Sequence, residues 1–163
     1  IIYVPKFDYI HGRILSFFDR ETGTHNFQSD KAIESITSGG FFGKGIGEGV
    51  LKNRVPEAHT DYIISVISEE FGVIAIILIL ILFLVLIYMV FKKISFETEE
   101  QNKLILIGSV SLILMQATIH IGVNIRLFPT TGMTLPFLSY GGSSIVSTSI
   151  LTGVILNLTK RKI

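Results

Sequence analysis

The chain has 163 residues, of which 48% are hydrophobic and only 17% charged. A formal net charge of +1 excludes the basic excess that a nucleic-acid surface requires, so no nucleic-acid partner is expected. The absence of cysteine excludes disulfides and thiolate metal sites, and a mean hydropathy of +0.59 places the chain in a membrane.

The chain opens on Ile1-Ile2-Tyr3 with neither an initiator Met nor a signal-peptide pattern, so earlier spans are expected to precede it. Residues 1–61 read as an extracytoplasmic loop region with short helices. Phe27 to Gly39 is compatible with a helix that stops at Gly39-Gly40. The glycines of "GGFFGKGIGEG", Gly39 to Gly49, follow without a preceding strand and without a Lys-Ser/Thr after the last glycine. A nucleotide-binding loop is therefore set aside in favour of a glycine-rich turn packed at the membrane surface. In "PEAHTDYIISVISEEFG", Asp61, Ser65, Ser68, Glu69 and Gly72 fall on one helix face, and Thr60 or Asp61 is placed to cap its N-terminus.

Phe71 to Phe91 is free of charge and, at ~1.5 Å per residue, crosses a hydrocarbon core of about 30 Å. It lies in the first of three spans, predicted at about 62–92, 103–125 and 143–159, with a connection at 92–103 and a re-entrant loop at 126–142. The second span carries Gln116, His120 and Asn124 four residues apart, a polar stripe that should face the bundle interior. Gln116 reads as interhelical glue; for His120 a packing donor and a relay both stay open. The third span is short and rich in Ser and Thr, which predicts a packed inner helix. The fold class is thus an all-α membrane protein, a polytopic transmembrane helix bundle with a long extracytoplasmic loop and a re-entrant loop. Lys92, Lys93 and Lys103 in the connection, and Lys160, Arg161 and Lys162 in the tail, place both on the cytoplasmic side.

"PTTGMTLPFLSYGGSS", Pro129 to Ser144, is turn-rich yet carries no charge. Irregular backbone persists at membrane depth only where it is buried in protein or lines a wet cavity. Pro129 and Pro136 prevent a continuous helix; Gly132, Gly141 and Gly142 permit tight turns or close approach. Ser143 or Ser144 is placed to cap the last helix, leaving N–H groups of residues 141–144 as an anion site, with Arg126 as a nearby cation. Two readings follow: a cavity floor for an anionic lipid head group, or a plain re-entrant structural loop.

The same stretch, together with "QATIHIGVN", "PEAHTDYI", "SEEFG" and "SGGFFGKGIGEG" in that family's order, resembles the SEDS family of shape, elongation, division and sporulation proteins. The resemblance covers essentially the whole chain, as the C-terminal part of a longer protein. "PEAHTD", with Glu57, and "GMTLPF" are similar to the FtsW division branch more than to the RodA branch. Three positions depart from the family pattern: His120 stands for an asparagine, Thr131 for a frequent lysine and Arg20 for a common proline.

The resemblance implies a multi-pass protein of the bacterial cytoplasmic membrane, at the division septum. It implies a peptidoglycan glycosyltransferase that polymerises lipid II, an undecaprenyl-diphosphate substrate, at the outer face during division or elongation. The implied partners are a class B penicillin-binding protein transpeptidase and other divisome membrane proteins. This segment alone is expected to be inactive. Such chemistry needs one carboxylate as general base and cations, N–H donors or a divalent metal for the departing diphosphate. The outward carboxylates are Asp8, Asp19, Asp30, Glu34, Glu48, Glu57 and Asp61. Asp19, in "RILSFFD", aligns with the family's catalytic aspartate. Substrate-binding roles fall to Glu57, His59, Asp61, Arg126, Pro129, Thr130, Gly132, Pro136, Ser139, Gly141, Gly142 and Ser143, and the diphosphate candidates are Arg13, Lys44, Arg54 and Arg126. No cofactor is expected to be permanently bound; a divalent cation, Mg or Mn, is the one candidate, with no metal ligands assigned. A lipid II flippase would need the cavity but no base, and a divisome scaffold would need neither.

Cysteines introduced at Ser95 and Thr22 test the orientation: an impermeant thiol reagent should label Thr22→Cys in intact cells and spare Ser95→Cys. The opposite pattern would invert the topology.

Overall fold

The computed structural model describes residues 24–160 apart from Pro56, and these are all helix, turn and loop. In chain order the helices are α1 (Thr24–Gly39), α2 (Leu51–Arg54), α3 (Ile63–Phe96), α4 (Glu100–Asn124) and α5 (Gly142–Thr159). The last three are long and apolar enough to cross a membrane. Asp8, Arg13 and Asp19 lie outside the described residues.

At ~1.5 Å per residue the 34 residues of α3 extend about 50 Å, well beyond a hydrocarbon core of about 30 Å. The helix is broken at Gly72 (φ 79°, ψ −177°), one residue into the uncharged run that starts at Phe71. The break removes the helical bonds from the N–H groups of Val73 and Ile74 to the carbonyls of Glu69 and Glu70. Buried backbone groups need partners, and the glycine-rich loop supplies them. Lys44 N–H donates to the Glu69 carbonyl (2.8 Å) and Gly45 N–H to that of Glu70 (3.1 Å). In return Val73 N–H donates to the Gly40 carbonyl (3.0 Å) and Ile74 N–H to that of Phe41 (3.5 Å). Such contact is possible only between bare backbones: a Cβ at Gly43 would collide with the Glu70 carbonyl, and one at Gly72 with that of Phe41. Gly43 also has φ +77°, a conformation that disfavours any side chain.

Below the loop, Glu69 is buried at 2% exposure. Its Oε1 accepts from Lys44 Nζ (2.9 Å) and its Oε2 from Leu51 N–H (3.0 Å), so it holds the N-terminus of α2. The expected polar face of α3 is thus turned inward, with Ser65, Ser68, Glu69 and Gly72 all buried. Small residues on α1 let it lie close to α3: Ser29, Ala32 and Ser35 are buried, and a Cβ at Gly39 would collide with the Ser68 carbonyl. Ala32, Leu51, Val55, Ala58, Tyr62, Val66 and Val123 form the outer core. A separate membrane-side core gathers Val90, Leu106, Val110, Ile113 and Ile155.

Two expectations need correction. No side chain of Thr60 or Asp61 caps α3; the cap position is Tyr62 and the cap bond comes from Asn124, whose Oδ1 accepts from Ser65 N–H (3.3 Å) and Ser65 Oγ (2.7 Å). Helix α5 is not a packed inner helix among the described residues, since only Thr148 and Ile155 are buried along it. Its threonines bond to their own helix instead, Thr148 Oγ1 to the Ser144 carbonyl (2.8 Å) and Thr152 Oγ1 to that of Thr148 (2.7 Å).

Gly43→Val should destabilise the folded chain by at least about 1–3 kcal/mol, from the positive φ alone. Gly153→Ala, whose Cβ meets nothing within 4 Å, should stay within about 0.5 kcal/mol of the parent. Unfolding in mild detergent followed by circular dichroism measures both; equal midpoints for the two variants would refute the backbone splice.

Candidate functional site

The polar stripe of α4 organises the end of the bundle that carries α1 and the loop between α4 and α5. Asn124 Nδ2 donates to the Asp61 carbonyl (2.9 Å) and to that of His120 (2.9 Å). His120 Nδ1 lies 2.8 Å from the Met133 carbonyl, which accepts only, so Nδ1 carries the proton. Its Nε2 is buried without a hydrogen-bond partner among the described residues. Gln116 Nε2 reaches the Thr134 carbonyl (2.9 Å), Thr134 Oγ1 (3.2 Å) and Ser144 Oγ (3.1 Å). One helix face thus fixes both the start of α3 and the loop between α4 and α5.

That loop begins with a tight reversal. Leu127 and Phe128 N–H both donate to the Gly122 carbonyl (2.7 and 3.3 Å), the Phe128 ring rests on Gly122, and Arg126 takes φ 59°. The returning strand of the loop then clamps the turn before α3. Tyr140 N–H donates to the His59 carbonyl (3.1 Å) and Ser139 Oγ to that of Thr60 (2.8 Å), while Leu135 N–H donates to Ser139 Oγ (2.8 Å). With Asn124 on Asp61, three consecutive carbonyls of residues 59–61 are held.

Between the loop, α4 and α5 lies a cavity of about 360 Å³, lined by Gln116, Gly132, Thr134, Gly141, Ser143 and Ser144 among others. Its lining side chains are uncharged and mix amide and hydroxyl groups with apolar surface. The first turn of α5 opens on it, and the cap residue Gly141 offers no side chain to the free N–H groups there. A Cβ at Gly132 would lie 3.8 Å from Asp61 Oδ2, so the half-buried Asp61 carboxylate stands beside one cavity-lining residue. The arrangement can receive an anionic or hydroxyl-rich group on N–H and hydroxyl donors, with one carboxylate at its edge.

Of the residues singled out from the sequence, Gly132, Gly141 and Ser143 line the cavity and Asp61 adjoins it. Glu57 and His59 are exposed on the turn outside it, and Gly142 is exposed at the start of α5. Pro129 and Thr130 are half-buried, while Pro136 and Ser139 are buried in the loop, Ser139 as a clamp. Arg126 is paired with Asp30, and Lys44 with Glu69, so both cations serve links between elements. Neither Ser143 nor Ser144 caps α5; Ser144 Oγ accepts from Thr134 Oγ1 (2.6 Å). The glycine that needs a positive φ is Gly132 (71°), whereas Gly141 is extended at −174° and a Cβ at Gly142 meets nothing within 4 Å. Gln116, Thr134 and Ser144 were missed as lining residues; the signal for Gln116 was its place on the His120 and Asn124 stripe. Among the described residues no three His, Asp or Glu side chains converge as around a metal ion.

Three apolar spans, an inward polar stripe and an irregular loop over a cavity with an uncharged lining define a multi-pass helical membrane protein. The family described as cell cycle protein, that of FtsW, RodA and SpoVE, matches residues 1–163, and the chain belongs to it. A relative from Caulobacter vibrioides is 39% identical over 158 residues, covering 96% of this chain and 40% of its own length. Another, from Enterococcus hirae, is 38% identical, covering 94% and 42%. A third, from Trichlorobacter lovleyi, is 41% identical, covering 90% and 39%. Each is named "Probable peptidoglycan glycosyltransferase FtsW". A solved chain of a peptidoglycan synthase complex, described as coordinating polymerization and crosslinking, superposes with a TM-score of 0.74 at 26% identity. It covers 93% of this chain and 41% of its own. The chain therefore spans about two fifths of the length of the proteins it matches. Family membership and the three spans make it a multi-pass protein of the bacterial cytoplasmic membrane.

Gly132→Val should lower the detergent unfolding midpoint by the equivalent of about 1–3 kcal/mol, the cost of a β-branched residue at positive φ. Gly142→Val should change it little. The reverse ranking would show that the loop geometry is wrong.

Proposed function

We propose that this chain is the C-terminal part of a peptidoglycan glycosyltransferase that polymerises lipid II at the outer face of the cytoplasmic membrane, at the division septum. The observation that carries the proposal is the cavity with an uncharged lining built by the re-entrant loop, with the N-terminus of α5 open to it and Asp61 at its edge. The names of the relatives point to the same chemistry.

The reaction joins an acceptor sugar hydroxyl to the anomeric carbon of a lipid-linked donor. The hydroxyl gives its proton to a carboxylate as its oxygen bonds to that carbon. The bond from the carbon to the diphosphate oxygen breaks, and the lipid diphosphate leaves with the electron pair. Asp19 is the proposed base, on the strength of the resemblance in "RILSFFD". In the cavity, the N–H groups at the start of α5 and the amide and hydroxyls of Gln116, Thr134 and Ser143 suit the oxygens of a head group or diphosphate. Asp61 is the second carboxylate in the proposal, as a positioning group for a sugar hydroxyl; the exposed Glu57 and His59 are the outer rim. Arg54 remains available as a diphosphate cation, whereas Arg126 and Lys44 are held in pairs. A class B penicillin-binding protein transpeptidase and other divisome membrane proteins are the proposed partners, supported by the synthase-complex likeness.

In a protein of the relatives' full length, Asp19→Asn should reduce lipid II polymerisation by at least about 10²-fold, because the amide cannot accept the proton. Glu34→Gln is the control: that carboxylate is exposed, and its hydrogen bond from Lys31 holds its pKa below the ordinary carboxylate value. Gel-resolved glycan from purified enzyme and its transpeptidase partner gives the readout. Normal polymerisation by Asp19→Asn would remove Asp19 as base and leave Asp61→Asn as the variant to lose activity; normal polymerisation by both would end the glycosyltransferase assignment for these carboxylates.

A further inference from the structure

Two buried polar atoms are left over once the hydrogen bonds of the spans are assigned. Among the described residues, Ser68 Oγ and His120 Nε2 are the buried side-chain nitrogen and oxygen atoms without a partner. Both residues are 1% exposed. Buried polar groups are nearly always bonded, to protein or to ordered water, so each one left over calls for a specific cause. The proposed glycan chemistry uses neither.

The register of α3 against α4 sets both on one interface. The chain turns back between Phe96 and Glu100, so the two helices run antiparallel, and Ser65 meets Asn124 near their far ends. Ser68 is three residues on from Ser65 and His120 four residues back from Asn124, so each lies one turn deeper on the contact face. At ~1.5 Å per residue they stand about 4.5 and 6 Å from the Ser65–Asn124 bond, on the same side of it. Ile64 and Ala117, one turn from Ser68 and His120 respectively, share a buried cluster and bracket the same interface. Ser68 Oγ does not turn back on its own helix, as Ser95 Oγ does to the Phe91 carbonyl (3.1 Å) and Ser147 Oγ to that of Ser143 (2.9 Å).

The two atoms have complementary roles. His120 Nδ1 donates to the Met133 carbonyl, so Nε2 offers a lone pair and needs a donor. Ser68 Oγ–H is a donor in need of an acceptor. No direct bond joins them, so whatever lies between must accept from one and donate to the other. A neutral imidazole nitrogen and a hydroxyl suit a water and not an ion, and two polar partners suffice to hold a buried water.

We propose that Ser68 and His120 hold one buried water between α3 and α4. It accepts from Ser68 Oγ–H and donates to His120 Nε2. The bond to Nε2 keeps the imidazole proton on Nδ1, where it holds the Met133 carbonyl. Met133 stands between Gly132, which is beside Asp61, and Thr134, whose carbonyl accepts from Gln116. Ser68 is thus a positioning residue that acts on the cavity loop from inside a span, through the water and His120.

Radiolytic footprinting tests the site in a protein of the relatives' full length, held in lipid nanodiscs in deoxygenated buffer. A short X-ray pulse makes hydroxyl radicals wherever water lies, and oxidised side chains are read by peptide mass spectrometry. His120 should be oxidised faster than Tyr62, which is equally buried and intrinsically more reactive toward the radical. With heavy-oxygen water mixed in just before the pulse, the exposed His59 should take up the heavy isotope and His120 mainly the light one, because a buried water exchanges slowly. Ser68→Ala should remove the excess oxidation of His120 and leave that of His59 unchanged. Nitrogen NMR of labelled histidine should show His120 protonated at Nδ1, with its Nε2 resonance moving in Ser68→Ala toward that of an unbonded imidazole nitrogen. Oxidation of His120 no faster than that of Tyr62, heavy oxygen at His120 in the same share as at His59, or oxidation and an Nε2 resonance both indifferent to Ser68→Ala would each overturn the proposal. The heavy-oxygen measurement needs no substitution and stands even where Ser68→Ala fails to fold, and none of these readouts depends on glycan synthesis.

Discussion

The seating of α1 and α2 on α3 depends on four main-chain hydrogen bonds that close the gap at Gly72. A helix that stops at the membrane boundary leaves carbonyl and N–H groups without partners where water is scarce, and each orphan is costly. Here the loop from Gly40 to Gly45 lies in the gap and takes over both the carbonyls and the N–H groups. The register of α1 on α3, the place of Lys44 against Glu69 and the start of α2 follow from that insertion.

The re-entrant loop is held by a different means. Its backbone is irregular, yet most of its fixing bonds come from one face of α4 and from the turn at 59–61. None of these bonds involves a formal charge, so no ion has to be desolvated to build the cavity. Charge is kept outside, in the Arg126–Asp30 and Lys31–Glu34 pairs at the surface. The amide and hydroxyl groups in the cavity lining can then meet a charged or hydroxylated ligand, with the Asp61 carboxylate at the edge as the nearby charge.

Much of this was legible in the sequence because periodicity reports burial. The uncharged run from Phe71, the four-residue spacing of Gln116, His120 and Asn124, and the proline-bounded loop each have a local signature. The stop at Gly39-Gly40 was legible for the same reason. What escaped is long-range. Nothing near Gly72 in the chain says that residues 40–45 will replace its helical bonds, and nothing near Ser65 says that Asn124 will cap it, since each partner is set by packing over many intervening residues. The threonines of α5 misled for a local reason: their hydroxyls have two destinations, a neighbouring helix or their own backbone, and composition does not distinguish them. Glycine is compatible with every backbone conformation, so the sequence did not say which of the three loop glycines does what: Gly132 uses a positive φ, Gly141 is closely approached by Thr134, and Gly142 stands open.

The spliced break also has a mechanical side. An ordinary contact between a surface helix and a membrane span is made by side chains, which can slide or change rotamer under load. The tie between α1 and α3 is shorter and stiffer, since it runs from Gly39 straight into a loop whose peptide groups are bonded to residues 69–74. A pull on α1 along its axis must either carry the upper end of α3 with it or break those bonds. The joint thus ties the backbone of the loop after α1 directly to the backbone of α3 on both sides of Gly72.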